Sequence, residues 1–142
     1  RVLFRSRFGD GKPQKLGEAE IMTLQAMKSG ALLRFACVAG GILAQAKPAE
    51  RAALERFGSL VGQAFQIADD ILDVESDAAT LGKAAGKDAG AGKGTLVSLY
   101  GLAKSKERLT SLVADAEKSL APFGAKASVL IEAARFIAER KS

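Results

Sequence analysis

Histidine and tryptophan are absent from this chain, and cysteine occurs once, at Cys37. Without histidine, a His-ligated zinc site and Ser–His or Cys–His catalysis are excluded within these 142 residues. One cysteine forms no internal disulfide, which fits a reducing, cytoplasmic setting. Cys37 lies in the apolar run Leu32–Val38 and reads as a buried thiol. Aromatic residues make up 6% of the chain and do not interleave with its lysines, which argues against nucleic-acid binding. No unbroken apolar run reaches the ~18 residues of a membrane span. The N-terminus shows no signal-peptide pattern.

What is present points to helices. Hydrophobic residues make up 48% of the chain, enough for one core, and alanine, leucine and charged residues dominate without a strand pattern. Residues 1–6, Arg1-Val2-Leu3-Phe4-Arg5-Ser6, match the in-frame translation of a sequencing-adapter end and read as an artefact, the genuine chain beginning near Arg7. Residues 7–17 read as a loop. A helix starts near Leu16–Glu18 with Ile21, Leu24 and Met27 at helical spacing, and a second apolar run spans Ala31–Ala46. Between them Gly30 marks a kink, and Gly40-Gly41 permits close packing. A third helix opens at Pro48 and runs to about Glu75. Residues 77–94 read as a loop, 95–102 as a short helix, and 104–120 and 125–140 as an antiparallel pair. In that pair Leu109, Leu112, Val113, Ala116 and Leu120 should face Val129, Leu130, Ala133 and Ile137. The expected fold class is all-α.

The chemistry is concentrated in the third helix. At about 100° per residue, Gln63, Gln66, Asp69, Asp70 and Asp73 fall within a sector of roughly 120°. Phe57, Leu60, Val61, Ala64, Phe65, Ala68, Ile71 and Leu72 take the other side as core. Carboxylates so gathered repel unless they share a cation or a donor. Mg²⁺ suits such oxygen sites, pairing one or two carboxylates with phosphates. Gly58, Ser59 and Gly62 on the same sector would leave room for a ligand. The plain alternative is an amphipathic helix with an acidic exposed end.

The following loop carries five glycines (82, 86, 90, 92 and 94) and lysines at 83, 87 and 93, a combination able to wrap phosphate. It is not a Walker A loop: Gly94 follows Gly92-Lys93 where Ser or Thr is needed, and Lys87 stands in place of the first glycine. Lys28, between Met27 and Ala31-Leu32-Leu33, either snorkels to the surface or points into the same cavity as the acidic helix.

Together these residues resemble the C-terminal half of a trans-prenyl diphosphate synthase of the bacterial farnesyl diphosphate synthase type. Lys28-Ser29-Gly30-Ala31-Leu32 resembles a KSGAL motif. Gly62 to Asp73 is similar to the second aspartate-rich motif, and Asp77 with Thr80-Leu81-Gly82-Lys83 to a D-x-x-TLGK element. Asp88 with Gly92-Lys93 is similar to a later D-x-x-x-GK element, from which Gly94 departs.

The resemblance implies the isoprenoid synthase helical bundle and the condensation of isopentenyl diphosphate with an allylic diphosphate, farnesyl diphosphate being the product. It implies Mg²⁺ on Asp69, Asp70 and Asp73, with Asp69 the foremost ligand. Lys28, Lys83 and Lys93 would hold the allylic diphosphate, while Gln66 and the Ser29 carbonyl would face the allylic cation. It also implies a homodimer when full-length. A first aspartate-rich motif and the isopentenyl diphosphate site would lie upstream of residue 7, so these residues alone should be inactive and should expose apolar helix faces. Two other functions stay open here: a class I terpene cyclase, and a non-catalytic helical subunit related to prenyl synthases.

Overall fold

Helices account for nearly all of residues 17–81 and 95–140, which the computed structural model describes apart from the side chains at 24, 25 and 77–81. In order they are α1 Glu18–Gln25, a π-helical turn Ala26–Gly30, α2 Ala31–Leu43, α3 Pro48–Leu81, α4 Leu96–Tyr100, α5 Leu102–Ser119, a 3₁₀ segment Ala121–Ala127 and α6 Ser128–Glu139. Among the described residues there is no strand, so the all-α reading holds.

The long helix α3 is central, touching every other element. Phe57, Val61, Ala64, Ile67, Ala68 and Ile71 are buried along it, close to the expected core, while Leu60, Phe65 and Leu72 are half-buried. Its entry is fixed by the Lys47 N–H, which donates to Glu50 Oε2 at 2.7 Å ahead of Pro48. The helix outruns its expected end near Glu75 and reaches Leu81. Residues 76–81 contain no glycine or proline, and the first breaker is Gly82.

α4 starts on a reciprocal cap: Thr95 Oγ1 accepts from the Ser98 N–H and Ser98 Oγ from the Thr95 N–H, each at 3.1 Å. Gly101, at φ +83°, then turns the chain into α5, which begins two residues earlier than expected.

α5 buries Leu109, Leu112, Val113 and Ala116, with Leu120 just beyond, as its periodicity predicts. α6 is rotated from the expected register. Ala127 and Ala134 are buried, with Leu130, Ile131, Ile137 and Ala138 packed against the core, whereas Val129 is 73% exposed and Ala133 faces solvent. The 3₁₀ segment over Pro122-Phe123-Gly124 delays the start of α6 to Ser128, and this shifts its buried face.

The glycines of α3 have a different use from the one expected. A Cβ on Gly58 would lie 2.7 Å from Arg34 Cα, and one on Gly62 would lie 2.7 Å from Gly30 Cα. They are the seam by which α3 presses against the backbone of α2 and the π-turn, leaving no ligand space there. Gly30 itself is helical (φ −60°, ψ −42°) and is the near side of that contact; the kink sits at Lys28, with ψ −110°. Of the Gly40-Gly41 pair only Gly41 is packed, against Leu54 and Arg51.

The opposite face of the α1–α2 arm is apolar and open: Met27, Leu32, Phe35, Ile42 and Leu43 are 55–85% exposed. Exposed apolar faces were expected. The helical stretch Glu18–Leu43 contains an 18-residue window of mean hydropathy 1.3, long and apolar enough by length and composition to cross a membrane, a test that the core helix of a soluble protein also passes. Searching for unbroken apolar runs passed over it because Lys28 and Arg34 interrupt the run without raising the charge count much.

Candidate functional site

One stripe of α3 carries the site. Gly58, Gly62, Gln66, Asp69 and Asp73 succeed one another at helical spacing and stay within about 80° of arc. The first two dock under α2 and the π-turn. Beyond the docked glycines the stripe turns polar, so the KSG turn is clamped about 10 Å along the axis from Asp69, seven residues at 1.5 Å.

At the clamp, Lys28 is exposed and Ser29 half-buried. The non-helical ψ of Lys28 rotates the Lys28–Ser29 peptide out of the helical ladder. The reoriented carbonyl is therefore that of Lys28, one peptide before the Ser29 carbonyl assigned by resemblance. Gln66 is 1% exposed, and its Nε2 finds no hydrogen-bond partner among the described residues. A buried donor left in this state calls for a water or a ligand in the wall.

The three aspartates do not converge on one point. Asp69 and Asp73 lie one turn apart on the stripe; the Asp69 side chain is 37% exposed and Asp73 is exposed. Asp70 projects about 100° round the helix from Asp69 and is 2% exposed. Among the described residues no three acidic, histidine or cysteine side chains come together as a metal cage. Magnesium, however, takes one or two carboxylates and fills its shell with phosphate oxygens and water. The pair Asp69 and Asp73 fits an ion held jointly with a phosphorylated ligand. Lys83 and Lys93 lie outside the described residues.

Sequence reasoning missed Arg140. Its Nη2 donates to Asp69 Oδ1, and its guanidinium stands 4.4 Å over the ring of Phe65. No local pattern announces a contact between residues 71 apart in sequence. A second contact between residues far apart in sequence lies elsewhere: the Tyr100 hydroxyl donates to Glu18, and that carboxylate holds the phenol pKa above its usual value. Tyr100 borders a separate cleft of about 420 Å³ with Met22, Gln63 and Lys104, so Gln63 faces away from the acidic stripe. Cys37 is half-buried rather than buried, and desolvation raises its thiol pKa.

The profile of the polyprenyl synthetase family matches residues 9–125. A dimethylallyltranstransferase from Fischerella ambigua is 40% identical over 134 residues, 92% of this chain and 39% of the relative. A probable farnesyl diphosphate synthase from Bradyrhizobium diazoefficiens is 40% identical over 116 residues, 79% of this chain and 35% of the relative. Geranylgeranyl pyrophosphate synthase 3 of Arabidopsis thaliana, a chloroplastic protein, is 40% identical over 129 residues, 90% of this chain and 36% of the relative. The apo crystal structure of an FPP/GFPP synthase from Zymomonas mobilis superposes with a TM-score of 0.78 at 32% identity, over 96% of this chain and 42% of that one. The chain thus spans less than half the length of the proteins it matches, and its helices follow the isoprenoid synthase fold. With most of its length inside the family profile, the chain belongs to the polyprenyl synthetase family.

Proposed function

We propose that this chain forms the acidic-helix wall of a trans-prenyl diphosphate synthase, joining isopentenyl diphosphate to an allylic diphosphate to give farnesyl diphosphate. The carrying observation is the clamp of the KSG turn on Gly62, which fixes a cationic residue and a polar stripe ending in two carboxylates on one wall. Lys28, exposed at the kink, would neutralise one end of a diphosphate; Lys83 and Lys93 are proposed to complete the cationic side. The Gln66 amide lies between on the same stripe, its buried donor without a partner among the described residues. Asp69 and Asp73 would hold Mg²⁺, with Asp70 acting directly or through bound water. Bound there, the ion would supply Lewis-acid neutralisation of the departing diphosphate.

The names of the relatives span dimethylallyl, farnesyl and geranylgeranyl enzymes, which supports a short-chain prenyltransferase more broadly than any one product. Residues 7–142 as the C-terminal half of the synthase domain and a homodimeric assembly are proposed on the resemblance alone, and a cytoplasmic location on the single cysteine. The test is incubation of the protein carrying this chain with labelled isopentenyl diphosphate, geranyl diphosphate and Mg²⁺. A fifteen-carbon diphosphate is expected. A longer product would correct the chain length only, and no elongation at all would overturn the transferase.

A further inference from the structure

Two arginines of the C-terminal helix region hold carboxylates, and they do so differently. Arg135 grips Glu117 with both Nε and Nη2, at 2.7 and 2.8 Å, the two-pronged geometry of a structural ion pair. Arg140 makes a single contact with Asp69, rests on the face of Phe65, and leaves its Nε buried with no partner among the described residues. It stands at the C-cap of α6, immediately after Glu139, with extended backbone (φ −59°, ψ 135°). Its side chain can swing away without disturbing the helix. The carboxylate it occupies is one of the two that can meet a cation from solvent, the Asp69 side chain being 37% exposed.

We propose that Arg140 is a latch on Asp69: the guanidinium holds the carboxylate while no divalent cation is bound, and must leave before a cation can take that oxygen. This rests on the reading of Asp69 as a metal ligand. One positive group stands in for another at the same Oδ1, so docking of Arg140 and binding of the ion oppose each other, by the same factor in both directions. Phe65 gives the released or docked guanidinium a neighbouring cation-binding face that does not itself compete for the metal. An incompletely satisfied arginine suits this role, since a fully bonded one would hold Asp69 too firmly to exchange.

The test uses the protein that carries this chain, with inorganic pyrophosphate present throughout, and two probes. Mn²⁺ binding is followed by electron paramagnetic resonance in the parent chain, Arg140→Gln, and Arg140→Gln combined with Asp69→Asn. Mg²⁺ is titrated into the parent chain while the Arg140 Nε–Hε resonance is watched by NMR. The latch predicts about five- to tenfold tighter Mn²⁺ binding in Arg140→Gln, loss of that gain with Asp69→Asn, and a saturable shift of the Nε–Hε signal. Equal affinities with an unmoved resonance would overturn the latch and leave the metal site standing. Weaker binding in Arg140→Gln would overturn it too, making Arg140 a support of the site. Absence of saturable binding in every chain would overturn the metal reading and the latch together. Should Arg140→Gln fail to fold, by circular dichroism, the NMR titration of the parent chain decides alone.

Discussion

α2 and α5 both pack on α3, yet the more apolar of them is the less buried. α2 has one charged residue in thirteen, and only Gly41 of its length is buried. α5 has seven charged residues in eighteen, and Ser105, Leu109, Leu112, Val113 and Ala116 are buried along it. The lesson is that apolar content sets how much surface a helix could bury, and the partners present set how much it does. α5 has α3 on one side and α6 on the other. Among the described residues α2 has α3 and the adjoining π-turn, reached in part through backbone contact at glycines, and its outer face carries Leu32, Phe35 and Leu43 into solvent. A patch of this kind marks an interaction surface.

The sharpest way to break this comparison is to truncate one leucine on each helix. Leu112→Ala should cost about 2–5 kcal/mol, because it opens a cavity in a filled core. Leu43→Ala, at a site 85% exposed, should stay within about 0.5 kcal/mol. Urea denaturation measures both, and equal costs would show that α2 is as well covered as α5.

Next in size is the glycine seam. Gly62→Ala gains about 1 kcal/mol of helix propensity, but its Cβ would meet Gly30 Cα at 2.7 Å, a backbone atom that cannot turn aside. With backbone in the way, overpacking falls in the upper part of its range, about 2–3 kcal/mol, so a net loss of about 1–2 kcal/mol is expected. Gly40→Ala has no atom within 4 Å to meet and should stabilise by about 0.5–1 kcal/mol. Opposite signs at the two sites would confirm the seam, and a shared sign would remove it.

The smallest effect lies on the α5–α6 side. The Arg135 guanidinium holds the Glu117 carboxyl below its ordinary value of 4.5. A lowered carboxyl pKa adds stability that is present above the unfolded value and lost as pH falls below it. The Arg135 side chain is exposed and Glu117 only half-buried, so the contribution is small and screened by salt. Arg135→Gln should therefore lower stability slightly at pH 7 and flatten the stability-against-pH curve below about pH 4.5, where variant and parent converge; unchanged acid sensitivity would assign the pair no role.

Much of this was legible in the sequence, for reasons tied to particular residues. α5 was readable because Leu109, Leu112, Val113 and Ala116 repeat at helical spacing between charges. The family was readable because KSGAL, DDILD and TLGK occur together in a fixed order. The packing role of Gly58 and Gly62 was not, since a glycine leaves the same trace whether it faces a ligand or a backbone. Nor was the register of α6, which depends on how tightly Pro122-Phe123-Gly124 winds. The Arg140–Asp69 contact is set by tertiary placement, which periodicity does not encode.

The central claim is that Asp69 serves a metal-bound diphosphate, and one substitution reaches it directly. In the protein that carries this chain, Asp69→Ala should lower turnover of isopentenyl diphosphate by orders of magnitude while circular dichroism stays unchanged. Turnover close to the parent rate, in a folded variant, would contradict the assignment of the acidic helix.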